Sequence, residues 1–460
     1  MIVFIICDSV AIAYRAKKRI IKFMKKGIFI FILLIGFLLF GLYRLFVDIE
    51  ENHVPIVTDS QKTSSMSIPS DSPSEASQIE FDSALISEES TALELVFDGE
   101  QPSESKINNF YFSHLSPEEQ SLYRSFYDHV TLFENTIEIE SYQFDKVTVH
   151  KVVKSMLCDS PELFWISESY RFYTNESDIV VRIEFPAEDR EIIERTRREI
   201  NAVAESWIQH ASFLPTDYEK IKFIYEEIIR NTDYVLESEN NQDIRSVFLQ
   251  KQSVCAGYAR AFQYVMDQMG IYNLFVNGEI VNGNLHAWNM VQLDEKYYWV
   301  DTTWGDPVFP TGSINDGTIS YNYLCIPDSE IFRTHIPLFD TSGEIAPFYE
   351  LPVCDSTDLD YYRLHENYLD TFDYDYIVNG ILDSYWAGKD YYMVKCNSKE
   401  LWDQIYSEIS EGTLLSDVYR NIDANSDKSG TMTSFYFDEK MHTIKLILFS
   451  DTEQEQVSPG

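Results

Sequence analysis

The chain is short of basic residues: 36 Lys and Arg stand against 75 Asp and Glu in 460 residues, a formal net charge of −39. The shortage is uneven. Residues 1–50 hold eight Lys/Arg and three Asp/Glu, so the remainder carries 28 basic residues against 72 acidic ones. A body of that sign repels a phosphate backbone, which excludes nucleic acid as a partner. Its plainest consequence is solubility, although it would also attract cationic partners. Cysteine is scarce too. The six residues, at 7, 158, 255, 325, 354 and 396, contain no C-x-x-C pair. That excludes the usual zinc spacings and a dense disulfide framework. His114, His150, His210 and His365 show no ligand spacing, so neither a metal site nor a cofactor is expected. Internal repeats are absent. What is plentiful is apolar: hydrophobic residues make up 45% of the chain, with 30 Tyr and 30 Phe. Large aromatic cores are therefore expected, in two or three domains of ordinary size.

The organisation changes along the chain. Ile28 to Phe40 runs without a charge, and the apolar stretch continues to Val47, broken by Arg44. That is about the ~20 residues a bilayer-spanning helix needs. Seven basic residues precede it, from Arg15 to Lys26, and the acidic body follows. The positive-inside rule then puts residues 1–27 in the cytoplasm, a single-pass anchor at 28–47, and the bulk outside the cell membrane. A cleaved signal peptide is the alternative, but no small-x-small site follows Gly41. Met24-Lys25-Lys26 also resembles a natural start. Residues 48–107, rich in Ser, Thr, Glu and Pro, predict a disordered stalk.

Order is expected from about residue 108. Ser116-Pro117-Glu118-Glu119 is a capping box with proline at the first helical position, opening a helix to about Val130. Further helices are predicted at 147–157, 187–211 and, capped by Thr216 and Glu219, to about Arg230. A hairpin is predicted at 164–172 and 178–184. Strands are predicted at 273–281, 285–293 and 297–303. Helices followed by antiparallel strands make the fold class α+β. The divisions are an N-terminal α+β region at 108–212, a catalytic domain at 213–345 and a small C-terminal α+β domain at 346–460. In the last, helices are expected near 374–387 and 398–410, and strands near 390–396, 432–438 and 442–449. Asp423 to Asp427 resembles the start of a calcium loop, but Lys428 stands where the turn glycine belongs, so it reads as a solvated acidic turn.

The chemistry gathers around Cys255. Val254, Tyr258, Ala261, Val265 and Met269 form a helical stripe, which puts Cys255 in a first turn. Free amides and the positive end of the helix dipole there favour a thiolate and can receive an oxyanion. Standing alone, a cysteine is more often structural. His286 and Asp301 alter that balance. If Asp294-Glu295 is a two-residue turn, residue i faces residue 589 − i, and His286 and Asp301 are diagonal neighbours on one face of a hairpin. A three-residue turn would separate them. The three residues then make a nucleophile, its base and the base's orienter. Trp304 could wall the acyl pocket, and Gln252 could supply a second oxyanion donor. Core packing is the default reading of Trp288, Trp299 and Trp304 alike.

Val-Cys-Ala-Gly-Tyr-Ala-Arg-Ala-Phe, His-Ala-Trp-Asn and Tyr-Tyr-Trp-Val-Asp-Thr-Thr-Trp-Gly-Asp-Pro, in that order over about residues 217–307, resemble the transglutaminase-like superfamily in its bacterial branch. The flanks resemble companions of this core in exported Gram-positive proteins. The resemblance implies a papain-like core, a cysteine-bearing helix packed on an antiparallel sheet. It also implies Cys255 as nucleophile, His286 as base and Asp301 as orienter. Members of the superfamily include cross-linkers, peptidases, deamidases and deglycosylases. The expectation is a surface-anchored thiol enzyme acting on amide bonds of a protein or peptide, in association with the cell wall. Hydrolysis is favoured over protein-glutamine acyl transfer, and a catalytically idle wall-binding or adhesion module is the rival.

Overall fold

In the computed structural model, the described residues are 110–140, 144–166, 170–174, 180–184, 189–306, 319–338, 349–425 and 432–448. The expected anchor and stalk lie outside them. Among the described residues no helix is long and apolar enough to cross a membrane.

The first part is helical with a small sheet. Helices α1 (Phe110–Ser113) and α2 (Pro117–Thr131) lead into strand β1 (Thr136–Glu140) and helix α3 (Lys146–Asp159). The start of α2 follows from its capping box: the Glu119 amide donates to Ser116 Oγ at 3.2 Å, and the Ser116 amide donates to the Glu119 carboxylate at 2.8 Å. Strands β2 (Arg171–Thr174) and β3 (Val180–Glu184) pair as the predicted hairpin, but β2 starts seven residues later than expected and runs two past the expected end, and β1 is added on the far side of β3. Residues 163–166 are not part of the strand. Leu163, Phe164 and Trp165 are buried in a turn, with Arg245 over Phe164 and Arg197 over Trp165. Their aromatic character reflects core packing without pleated pairing.

Helices α4 (Arg190–Ala211) and α5 (Asp217–Asn231) follow, the latter with the expected Thr216–Glu219 capping box. A short parallel pair, β4 (Asp233–Tyr234) and β5 (Gln252–Ser253), brackets a single π-helical turn at Ser246–Gln250. Helix α6 (Cys255–Met269) then packs on the central sheet. That sheet contains β6 (Asn273–Ile280), β7 (Leu285–Leu293), β8 (Lys296–Val300), β9 (Leu324–Ile326) and β10 (His335–Pro337), in the order β10-β6-β7-β8-β9. Every pairing in it is antiparallel. The β7–β8 turn is Asp294-Glu295, with φ of 49° and 63°. Both values are left-handed, as a two-residue I′ turn requires, and Leu293 pairs with Lys296 as the register predicts. Asn289 turns its amide toward α6, donating to the Ala259 carbonyl at 3.1 Å. By the two-residue period, His286, Trp288 and Met290 share one face.

The remainder is helix α7 (Asp328–Ile331), α8 (Tyr361–Leu364), β11 (Tyr368–Leu369), α9 (Tyr374–Trp386), β12 (Tyr391–Cys396), α10 (Lys399–Ser410), α11 (Leu414–Asn425), β13 (Met432–Asp438) and β14 (Thr443–Leu448). Its four-stranded sheet has the order β11-β12-β14-β13 and its own core around Ile377, Ile381, Val394, Ile405, Val418 and Ile444. The expected acidic turn at 423–427 is corrected in part: residues 423–425 are the last turn of α11. Polar contacts join this sheet to the segment after β8. Asn322 donates to Asp438 at 3.1 Å and to Thr443 at 2.9 Å, and accepts from the Tyr362 hydroxyl at 2.7 Å. The buried ammonium of Lys395, on β12, bonds both Glu330 on α7 and Asp360 ahead of α8.

Candidate active site

Cys255 is the first residue of α6. Val254 caps the helix without a side-chain hydrogen bond, and the first helical bond runs from the Tyr258 amide to the Val254 carbonyl at 3.1 Å. The amides of Cys255, Ala256 and Gly257 precede that bond, so the helix start presents donors toward whatever faces the sulfur. Gly257 is required by close approach. A Cβ there would lie 2.1 Å from Ser253 Oγ and 2.4 Å from Ser246 Oγ. Those two hydroxyls hydrogen-bond each other at 2.7 Å beneath the helix start. Tyr258 and Arg260 make structural contacts. The Tyr258 hydroxyl reaches the Thr232 carbonyl and Asp306, and the Arg260 guanidinium reaches the Leu157 carbonyl and covers Phe275.

The five described cysteines are all free, and Cys255 alone among them is not fully buried. Burial pushes the thiols of Cys325, Cys354 and Cys396 up, away from ionisation.

The structure brings Cys255, His286 and Asp301 together. His286 Nε2 lies 2.7 Å from Asp301 Oδ2. An ionised carboxylate only accepts, so Nε2 carries a hydrogen and Nδ1 is the nitrogen left free of Asp301; Cys255 is near enough to add to the raised pKa of His286. Burial by itself would lower the imidazole pKa, but the charge and hydrogen bond of Asp301 outweigh it and hold the pKa well above the ordinary histidine value. Asp301 behaves in the complementary way. Burial would raise it, yet His286 and a second histidine keep it below the usual carboxylate range.

That second histidine, His335, has no counterpart among the sequence expectations. It opens β10 and is fully buried, with Nε2 2.9 Å from the same Asp301 Oδ2 and Nδ1 2.8 Å from Thr334 Oγ1. The other carboxylate oxygen, Oδ1, accepts from the amides of Thr303 at 2.8 Å and Trp304 at 3.1 Å. Asp301 therefore meets four donors. Burial lowers the pKa of His335, so it is a neutral imidazole whose Nε2 bears the hydrogen. Among the described residues, His286, Asp301 and His335 are the group whose ligating atoms are close enough to hold a metal ion, all within 4.8 Å of one another. The nitrogen-to-oxygen spacings of 2.7 and 2.9 Å are those of hydrogen bonds. A cation bonded to all three at about 2.0–2.2 Å would push them further apart.

An aromatic wall surrounds the pair. Trp288 lies 5.8 Å from the His286 ring at 22°, and Trp304 lies 6.0 Å from His286 and 4.7 Å from His335. Trp288 has this room because Gly278, paired with His286 across β6–β7, has no side chain. A Cβ on Gly278 would meet the indole at 2.3 Å. Trp304 is partly exposed, where a pocket wall would be, whereas Trp288 and Trp299 are buried. Gln252 is exposed on β5, three residues before Cys255, and no contact from its amide to the site is described.

Residues 202–303 match the family model of the transglutaminase-like superfamily. Kyphoscoliosis peptidase from Mus musculus is 24% identical over 156 residues, covering 30% of this chain and 22% of that protein. The Homo sapiens protein is 25% identical over 140 residues, covering 27% and 20%. The chain thus spans about a fifth of the length of these relatives. Among solved structures, one described as a TGase shares 15% identity at a TM-score of 0.23, over 34% of this chain and 49% of that one. The periplasmic domain of TgpA from Pseudomonas aeruginosa shares 18% identity at a TM-score of 0.19, over 27% and 56%.

Proposed function

Taking residues 202–303 as a domain of the transglutaminase-like superfamily, we propose that this protein is a thiol enzyme that cleaves amide bonds of a protein or peptide by hydrolysis, with Cys255, His286 and Asp301 in the roles of nucleophile, base and orienter. The observation that carries the proposal is His286, bonded to Asp301 at 2.7 Å, with Cys255 close enough to act on its pKa. His286 holds the proton from sulfur as the thiolate attacks the carbonyl carbon. The oxyanion is received by the amides at the start of α6. Collapse breaks the C–N bond, and His286 returns the proton to the leaving amine. Water then attacks the thioester by the same route, releasing the acid and restoring the thiol. Trp304 lines the acyl side of the pocket, and Gln252 is the proposed second donor to the oxyanion. The catalytic unit is taken as residues 213–345, between an N-terminal region at 108–212 and a C-terminal domain at 346–460. Anchoring through residues 28–47, with the enzyme outside the membrane, is proposed on sequence alone.

The test is alkylation by iodoacetamide at mildly acidic pH, followed residue by residue by mass spectrometry. Cys255 should react faster than a model thiol, and the advantage should vanish in His286→Ala. Equal rates for Cys255, a model thiol and the variant would sink the proposal. Incorporation of a fluorescent amine into a glutamine-bearing protein, lost in Cys255→Ala, would replace hydrolysis by acyl transfer.

A further inference from the structure

We propose that His335 is a positioning residue of this site, a second imidazole donor that fixes Asp301 and moderates its pull on the His286 proton; the inference rests on the reading of His286 as the base. The geometry makes the case. Both rings donate to one oxygen, Asp301 Oδ2, at 2.7 and 2.9 Å, while backbone amides hold Oδ1. With four donors, the carboxylate has no freedom to rotate away from His286. His335 is itself fixed. Thr334 Oγ1 stands at Nδ1, and the ring is enclosed by Trp304 at 4.7 Å, Trp288 at 4.9 Å and Tyr323 at 5.5 Å. A packing residue in this place would not need a nitrogen aimed at the carboxylate.

The charge argument follows. A neutral donor on Oδ2 takes up part of the negative charge that would otherwise act on His286. Without it, Asp301 holds the imidazolium more strongly, and His286 keeps its proton to higher pH. The titratable groups facing the trio are Cys255 from α6, Tyr225 from α5, Tyr234 from β4 and Tyr323 ahead of β9, with Asp438 of β13 acting on Tyr323. Burial pushes all three tyrosines up, so they stay neutral while His286 titrates.

The experiment compares alkylation of Cys255 by iodoacetate and by iodoacetamide across pH, in the full chain. The anionic reagent is favoured while His286 is an imidazolium, so the ratio of the two rates falls as His286 loses its proton. In His335→Leu the midpoint of that fall should move up by about one pH unit. In His335→Gln, whose amide can donate to Oδ2, it should return toward the wild-type position. Thr334→Val, which keeps the ring and removes the hydroxyl at Nδ1, should move it in the same direction by less, and it serves as the test if the leucine variant does not fold. Equal midpoints in Leu, Gln and wild type, or equal shifts in Leu and Gln, would overturn the role of His335. A wild type with no such pH-dependent preference would overturn the reading of His286 itself, and His335 with it.

Discussion

Two buried charge clusters, which draw Glu330 and His335 from one short segment, are built on opposite logic. At one, the Asp301 carboxylate meets His286, His335 and two backbone amides. At the other, the Lys395 ammonium meets Glu330 and Asp360. Asp301 and Lys395 are both about 1% exposed at the side chain. The partners differ in kind. An imidazole can gain or lose a proton near neutral pH, so the Asp301 cluster can take part in chemistry. Burial alone would lower the Lys395 pKa, but its two carboxylates raise it, so this cluster keeps its charge state and holds elements together. Glu330 lies in α7 and His335 in β10, so the same short segment anchors the C-terminal sheet and reaches into the candidate site.

The comparison can be broken most severely at Asp301. Asp301→Asn keeps the shape, with the amide oxygen available to the Thr303 and Trp304 amides. Its NH2 group then faces two Nε2 atoms and forces His286 into the other tautomer, with a hydrogen on Nδ1 toward the sulfur. The second-order rate of the amide-bond reaction should fall by about 10⁴-fold, as for a triad base in the wrong tautomer, with little change in melting temperature. Lys395→Met breaks the other cluster. It leaves two buried carboxylates without their cation and should cost about 3–5 kcal/mol in chemical denaturation. Alkylation of Cys255 in the molecules that remain folded should change far less than in Asp301→Asn.

The smallest effect separates the clusters by pH. The folded pKa of His286 is raised, so its contribution to stability is complete below the unfolded value of about 6.5 and is lost as pH rises through the folded value. The thiol proton complicates this count in the wild type, so the measurement belongs in a Cys255→Ser background. There, stability should fall by about 1 kcal/mol between pH 7 and pH 8, and adding His286→Gln should flatten the slope. Lys395→Met should leave the slope unchanged, because the lysine does not titrate in that window.

Much of the site was legible because its parts are local. The helix stripe puts Cys255 at the start of α6, and Asp294-Glu295 defines the parity that lets His286 meet Asp301. His335 was not legible. It opens His335-Ile336-Pro337, a three-residue strand that pairs with Gly278 to Ile280, more than fifty residues earlier. A strand so short has no usable periodicity, and its partner cannot be read from its own sequence. The same applies to β9; β1 does alternate, as Thr-Ile-Glu-Ile-Glu, but its partner β3 lies some forty residues later. Leu163-Phe164-Trp165 misled in the opposite direction, since aromatic residues favour strands only where a pleated partner is present. Helix α11 is not among the expected elements, because the acidic run at its end reads as a turn.

The four donors around Asp301 decide where a proton can travel. Each oxygen already accepts twice, and none of the four donors can step aside without leaving the buried carboxylate short of a partner. Asp301 is therefore a wall and not a wire. A proton taken from sulfur stops at His286, and its one way out is back through the face that Cys255 shares with solvent and substrate.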